Sequence, residues 1–250
     1  MSETITTRAI LLRAVATGEA DRVVTLLGRS TGKIAAIARG ARKSARRFAG
    51  GLGLAATGEA TLRERPGADL ALLEGFEVHQ GRQGLGADLG RTAQAGYVAE
   101  LTGELCAPRQ PEIAVFDLLE AFLDALDGRG ASASRLRAFE LGLLARLGLA
   151  PSLSACVACG RTDLDDEVVR LEPERGGVLC AACARRGTPI HPPVRRALVQ
   201  LAAMDLAAAE AFALGRDEAA ACRAAVGELV ASHLSRPLKS LEFLRKLQGA

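Results

Sequence analysis

The sequence predicts an α+β protein in which a five-stranded β-barrel precedes an all-helical domain carrying an inserted four-cysteine ribbon. Three observations support this. Residues 5–78 contain short apolar runs separated by turn signals. Residues 92–148 and 194–247 switch to helical period. Between the helical stretches lie Cys156-Val157-Ala158-Cys159 and Cys180-Ala181-Ala182-Cys183, together the pattern C-x2-C-x20-C-x2-C. The expected divisions are 1–80 for the barrel, 81–151 and 189–250 for the two parts of the helical domain, and 152–188 for the ribbon.

The barrel comes first. Apolar runs at residues 9–15, 23–27, 33–38, 54–62 and 70–78 are bounded by Thr17-Gly18, by glycines from 28 to 32 and from 50 to 53, and by Pro66-Gly67. These breakers end strands because they supply turn geometry and interrupt the alternating pattern. A short sheet leaves its edge amides unpaired unless it closes. A five-stranded Greek-key barrel of the oligonucleotide-binding (OB) type closes within this length.

The formal net charge of +3 says little by itself, but its distribution is informative. Between Arg22 and Gly58 stand Arg22, Arg29, Lys33, Arg39, Arg42, Lys43, Arg46 and Arg47, with no acidic residue among them. A single-sign block on the third strand and its following loop attracts polyanions; the alternative is a solvated basic loop without a ligand. Gly81 to Gly90 lacks a G-x-G-x-x-G register and reads as a linker. No phosphate-cradling G-x4-G-K-[ST] occurs, so no nucleotide is expected as cofactor.

Three amphipathic stripes follow: Ala95, Val98, Leu101 and Leu105; then Val115, Leu118, Leu119, Phe122, Leu123 and Leu126; then Leu136, Phe139, Leu143, Leu144 and Leu147. Each is a helix that needs the others to bury its face. The first two carry carboxylates and the third carries Arg135, Arg137 and Arg146. No histidine or nucleophile accompanies the carboxylates. A solvated acidic face is therefore expected in place of acid–base chemistry, and the protein is not expected to be an enzyme.

The two cysteine pairs can place four thiolates at the corners of a tetrahedron, as a structural zinc site does. Val168 to Leu171, Gly176-Gly177 and Val178-Leu179 read as a hairpin between them, and Gly160 permits a tight turn after the first pair. One structural zinc ion is expected, with no open position for catalysis; a reduced thiol cluster, two disulfides or a ribbon that keeps its cysteines but binds metal weakly are the alternatives. Residues 1–7 do not resemble a signal peptide and no apolar run approaches the ~18 residues of a membrane span, which predicts a cytoplasmic protein with reduced thiols. Cys106 and Cys222 stand alone among apolar neighbours and are expected in the core. Helices resume at 194–214, 216–234 and 241–247 after prolines at 189, 192 and 193.

With barrel, helices and ribbon in this order, the chain resembles the bacterial RecO recombination-mediator family over essentially its whole length. The residues that carry the resemblance are Gly18-Glu19-Ala20-Asp21-Arg22, Gly32-Lys33-Ile34, Arg39-Gly40-Ala41-Arg42-Lys43, Phe116-Asp117-Leu118-Leu119, Phe139-Glu140-Leu141, Gly148-Leu149-Ala150-Pro151, Gly176-Gly177-Val178-Leu179-Cys180 and Leu238-Lys239-Ser240. The resemblance implies a non-enzymatic, nucleoid-associated DNA repair protein. Such a protein binds single- and double-stranded DNA, anneals complementary strands and works with RecR to help RecA replace single-strand-binding protein.

Aromatic residues are scarce, with no tryptophan and one tyrosine, which argues against base stacking on aromatic platforms and for phosphate contacts. The expected DNA track is Lys33, Arg39, Arg42, Lys43, Arg46 and Arg47, with Arg195, Arg196, Arg236 and Lys239 as extensions. Relatives receive the acidic tail of single-strand-binding protein on their helical domain; Arg135, Arg137 and Arg146 beside Phe139 and Leu143 are expected to do so here. A zinc-dependent deaminase would need an H-x-E motif, which none of the three histidines supplies. The remaining alternative is a zinc-ribbon factor that binds nucleic acid or protein without annealing.

Overall fold

The computed structural model describes residues 3–44, 47, 48, 50–64 and 67–248. It contains two compact units, residues 1–131 with 238–250, and residues 132–237.

In the first unit, strands β1 (Glu3–Thr17), β2 (Asp21–Gly28), β3 (Gly32–Ala38), β4 (Thr57–Glu64) and β5 (Ala71–Gln80) form a closed barrel in the order β1-β2-β3-β5-β4. All pairings are antiparallel except β3 with β5. Closure removes the free edges expected to trouble so short a sheet. The interior is lined by Val24, Leu26, Ile34, Leu62, Leu73 and Phe76, with alanines at 9, 36, 38 and 60 where the barrel is tight. Strand β3 buries every second residue, as a strand with one core-facing side must. The long β3–β4 connection sends Phe48 and Leu52 into the same core.

Helices α1 (Leu89–Leu105) and α2 (Ile113–Arg129) belong to the barrel's unit, and α7 (Lys239–Gln248) returns to pack on α1. The segment from Gly81 to Gly90, expected as a linker, is an anchor. Arg82 is almost fully buried, and its guanidinium donates to the Ala55 carbonyl, to Thr57 Oγ1 at 2.7 Å and to Asp124 of α2 at 2.8 Å. A buried arginine is tolerated where its donors are met in this way. Other carboxylates of α2, expected to be solvated, face barrel cations: Asp117 takes both Nε and Nη2 of Arg29, at 3.0 and 3.1 Å, and Glu120 takes Arg8 at 2.7 Å.

The second unit is built on α3 (Ala133–Arg146), which packs against α4 (Pro192–Ala203), α5 (Leu206–Ala211) and α6 (Arg216–Ala231). The helix expected at 194–214 is two helices. Asp205 interrupts it and caps the second half, accepting from the Ala208 amide at 2.7 Å. Pro192 and Pro193 open α4 from inside its first turn, where a missing N–H costs nothing.

Candidate metal centre and nucleic-acid interface

Between α3 and α4 lies a three-stranded sheet, β6 (Val169–Glu172), β7 (Gly177–Leu179) and β8 (Thr188–Ile190), in the order β7-β6-β8. The expected hairpin is β6–β7; β8 is an addition, pairing Val169 with Ile190 and Leu171 with Thr188. Gly177 is required by close approach, since a Cβ there would lie 2.2 Å from the Ser152 carbonyl oxygen. That carbonyl accepts from the Val178 amide at 2.9 Å and ties the entering chain to the hairpin.

This frame brings the four cysteines together. The Sγ atoms of Cys156, Cys159, Cys180 and Cys183 all lie within 4.8 Å of one another, and Cys159 and Cys180 are 3.9 Å apart. A tetrahedron with metal–sulfur bonds of ~2.3 Å has edges of about 3.8 Å, so the cluster has the size such a site needs. All four are free thiols, which sets the disulfide alternative aside. Gly160, at φ +74°, lets its amide return to the Cys156 carbonyl at 2.9 Å, and Ala184 makes the same bond to Cys180 after the second pair.

Burial pushes the Cys156 thiol up, but hydrogen bonds from the backbone of Cys180, Cys159 and Ala158 hold it down at about 6. Cys183 is pushed up to about 12, first by its contacts with Cys180 and Cys159 and then by burial. Four sulfurs this close cannot all ionise without a cation between them, and the donor set fits a metal on that ground.

The basic block is not exposed throughout. Arg39, Arg42, Lys43 and Arg47 are exposed on the β3–β4 connection, while Arg46 lies outside the described residues. The connection is held against the β1–β2 turn: the Gly40 amide donates to Asp21 Oδ1 at 2.7 Å, and Arg42 Nη1 donates to the Glu19 carbonyl at 3.2 Å. Arg47 Nη2 donates to the Arg39 carbonyl at 2.7 Å, and the Phe76 amide of β5 donates to the Arg47 carbonyl at 2.9 Å. The connection that carries the four exposed cations is thus held against the barrel. The charged turn from Gly18 to Arg22 is the sequence signal for this fixation.

Lys33 is a correction to the expected track. Half-buried, it donates from Nζ to the Gly103 carbonyl at 2.6 Å, and its own carbonyl accepts from the Arg109 amide at 2.9 Å. Gly103 is in the last turn of α1, whose carbonyls have no partner within the helix, so the ammonium caps that end. Arg195 is a second correction. It is 3% exposed, ion-paired with Asp165 and bonded to the Leu153 carbonyl, and is not available to DNA. Arg196 and Arg236 are exposed in the second unit. Lys239 is exposed in the first, where its amide and that of Ser240 donate to Glu100.

The expected peptide site is also corrected. Arg135, Phe139 and Leu143 are fully buried and Arg137 nearly so. Arg135 pairs with Glu210 of α5 at 3.1 Å, and Arg137 pairs with buried Glu140 at 3.0 Å. Three helices surround α3, so Arg135 and Arg137 meet carboxylates inside the unit and present no surface to a peptide. Arg146 alone of the five is exposed, with Nη1 on the Gly142 carbonyl at 3.0 Å.

Among the described residues no helix is long and apolar enough to cross a membrane. The chain matches the family model for the Recombination protein O N terminal over residues 1–82 and that for the Recombination protein O C terminal over residues 86–242. It is 44% identical over 241 residues to a DNA repair protein RecO of Anaeromyxobacter sp. (strain K), covering 95% of this chain and 94% of that one. It is 36% identical over 239 residues to the protein of the same name from Myxococcus xanthus (strain DK1622), and 35% identical over 239 residues to that from Geobacter sulfurreducens, covering 96% of each chain in both cases.

Proposed function

The chain belongs to the RecO family of DNA repair proteins, and from that premise we propose that it binds single- and double-stranded DNA and anneals complementary strands without chemical turnover. The observation behind this reading is the group of exposed cations, Arg39, Arg42, Lys43 and Arg47, carried by one connection that is tied to a closed barrel. Phosphate contacts of this kind carry no sequence information and neutralise charge, which suits a protein that must act on any strand. Neutralising two strands together lowers their mutual repulsion, a sufficient route to annealing without a nucleotide.

In keeping with the family, the protein works in the cytoplasm on nucleoid DNA. It cooperates with RecR, engages the acidic tail of single-strand-binding protein, and helps RecA onto gaps. Cys156, Cys159, Cys180 and Cys183 hold one zinc ion. With four protein ligands the ion supplies a fold-holding crosslink and no Lewis-acid position.

The experiment is annealing of complementary strands coated with single-strand-binding protein, comparing the wild type with Arg39→Glu/Arg42→Glu/Lys43→Glu. Annealing by the wild type and its loss in a folded variant supports the reading. If the wild type does not anneal, the protein is a zinc-ribbon binding factor and the annealing reading falls.

A further inference from the structure

We propose that a cleft of about 410 Å3 between the ribbon's sheet and α6 binds a free aliphatic polyamine, a methylene chain carrying several ammonium groups. The site lies wholly within residues 132–237 and goes beyond the DNA-binding reading, on which it does not depend.

The cleft forms where β8 meets α6. Thr188 pairs with Leu171 of β6, and its hydroxyl donates to Glu228 of α6, with Oε2 at 2.8 Å and Oε1 at 3.0 Å. One hydroxyl supplies one proton, whereas a carboxylate accepts about four hydrogen bonds, so Glu228 keeps most of its accepting capacity. Glu172, the last residue of β6, and Glu174, in the turn that follows, complete the acidic lining. Leu171, Pro173 and Ala231 give the same cleft an apolar wall.

Glu172 points to a ligand. It is 8% exposed, yet its carboxylate accepts no hydrogen bond among the described residues. The nearest cations, Arg175 Nη1 and Arg186 Nε, each stand 4.0 Å away, beyond hydrogen-bond reach. A buried carboxylate short of donors is costly, and a ligand carrying N–H groups removes that cost.

Charge and shape select which ligand. Three carboxylates face one guanidinium, Arg186, which lies 3.8 Å from Glu174 and is 76% exposed, so it can swing aside. The excess is negative and is reinforced by the C-terminal end of α6. Phosphates and acidic peptides are repelled, and cations are drawn in. A divalent metal ion needs about six or more oxygens around it, which an apolar wall does not provide. A lysine side chain brings one ammonium to one point. The carboxylates here come from a strand end, a turn and a helix end, and a chain with several ammonium groups meets them together while its methylenes lie on the apolar wall. Such a ligand bridges the ribbon's sheet and α6.

The test is calorimetric titration of the full chain, without DNA, with spermidine, with Mg2+ and with N-acetyl-lysine amide. The variants are Glu174→Gln/Glu228→Gln and Ala231→Leu. The second narrows the cleft, keeps every charge and retains a good helix former, so it decides the matter if the first melts early. The wild type is expected to take one spermidine per chain, at least about tenfold tighter than the lysine amide, and each variant to lose at least about tenfold in affinity. Bound spermidine should raise hydrogen-exchange protection at residues 186–190 and 228–232 and leave the barrel strands unchanged. Absence of binding overturns the proposal, as do unweakened binding by Ala231→Leu, equal affinity for Mg2+, or protection gained elsewhere. Tighter binding of the lysine amide gives the cleft to a partner's side chain, and the free-polyamine proposal fails. Because no DNA is present, none of these results touches the annealing reading, and failure of annealing leaves the cleft as it stands.

Discussion

Lys33 and Arg42 stand nine residues apart in one basic block, yet the structure assigns them opposite behaviour in a salt titration. Arg39, Arg42, Lys43 and Arg47 are exposed with their charges outward, whereas Lys33 is committed to the C-terminal end of α1. If each of the four exposed cations meets one phosphate of a single strand, log affinity falls against log salt with a slope of about −2.8, from ~0.7 per phosphate. Between about 50 and about 200 mM salt that is roughly a 50-fold loss of affinity. In Arg39→Ala/Arg42→Ala/Lys43→Ala the slope drops to about −0.7, and the same change of salt costs roughly threefold. Lys33→Ala is expected to leave the slope unchanged. Its effect is on stability, about 1–2 kcal/mol, because the Gly103 carbonyl loses a charged donor. Fluorescence anisotropy with a labelled oligonucleotide across a salt series gives the slopes, and urea unfolding gives the stability. A slope for Lys33→Ala flattened as much as that of Arg42→Ala would refute the assignment, as would an unchanged slope for the triple variant.

Two further outcomes are expected. One zinc ion per chain should be found by elemental analysis; chelation or Cys156→Ser should abolish hydrogen-exchange protection across residues 169–190 while the barrel strands keep theirs, and full protection in metal-free protein would remove zinc from the fold. Glu100 caps α7: burial raises its carboxyl, but the Ser240 hydroxyl and the Ser240 and Lys239 amides outweigh this and hold it below the ordinary value. The folded-state value is therefore the depressed one, so α7 docking should be complete above the unfolded value of about 4.3 and weaken as pH falls through the native one. Glu100→Gln should remove that acid dependence in hydrogen exchange at residues 239–244, at a cost of about 1 kcal/mol; an acid transition that survives the substitution would assign it to another group.

Local pattern carried far in this chain. The five barrel strands follow from alternation broken by glycine and proline, because a strand's period depends only on its own residues and turns. The clustering of Cys156, Cys159, Cys180 and Cys183 is legible from cysteine spacing, since two C-x2-C turns joined by a hairpin can converge in few ways. The group at Arg39, Arg42, Lys43 and Arg47 was also visible, as a run of like charge with nothing acidic beside it. What sequence could not supply was the fate of individual cations. Lys33 meets a carbonyl 70 residues away, Arg195 a carboxylate 30 residues away, and Arg135 a carboxylate on another helix. An arginine on an amphipathic helix reads as solvated until a third and fourth helix enclose it, and enclosure is a property of packing. Sequence determined which residues carry charge, thiol or apolar surface; the tertiary structure decided which meet a partner inside the protein and which are left for a ligand, because side-chain availability depends on burial and pairing across long separations in the chain.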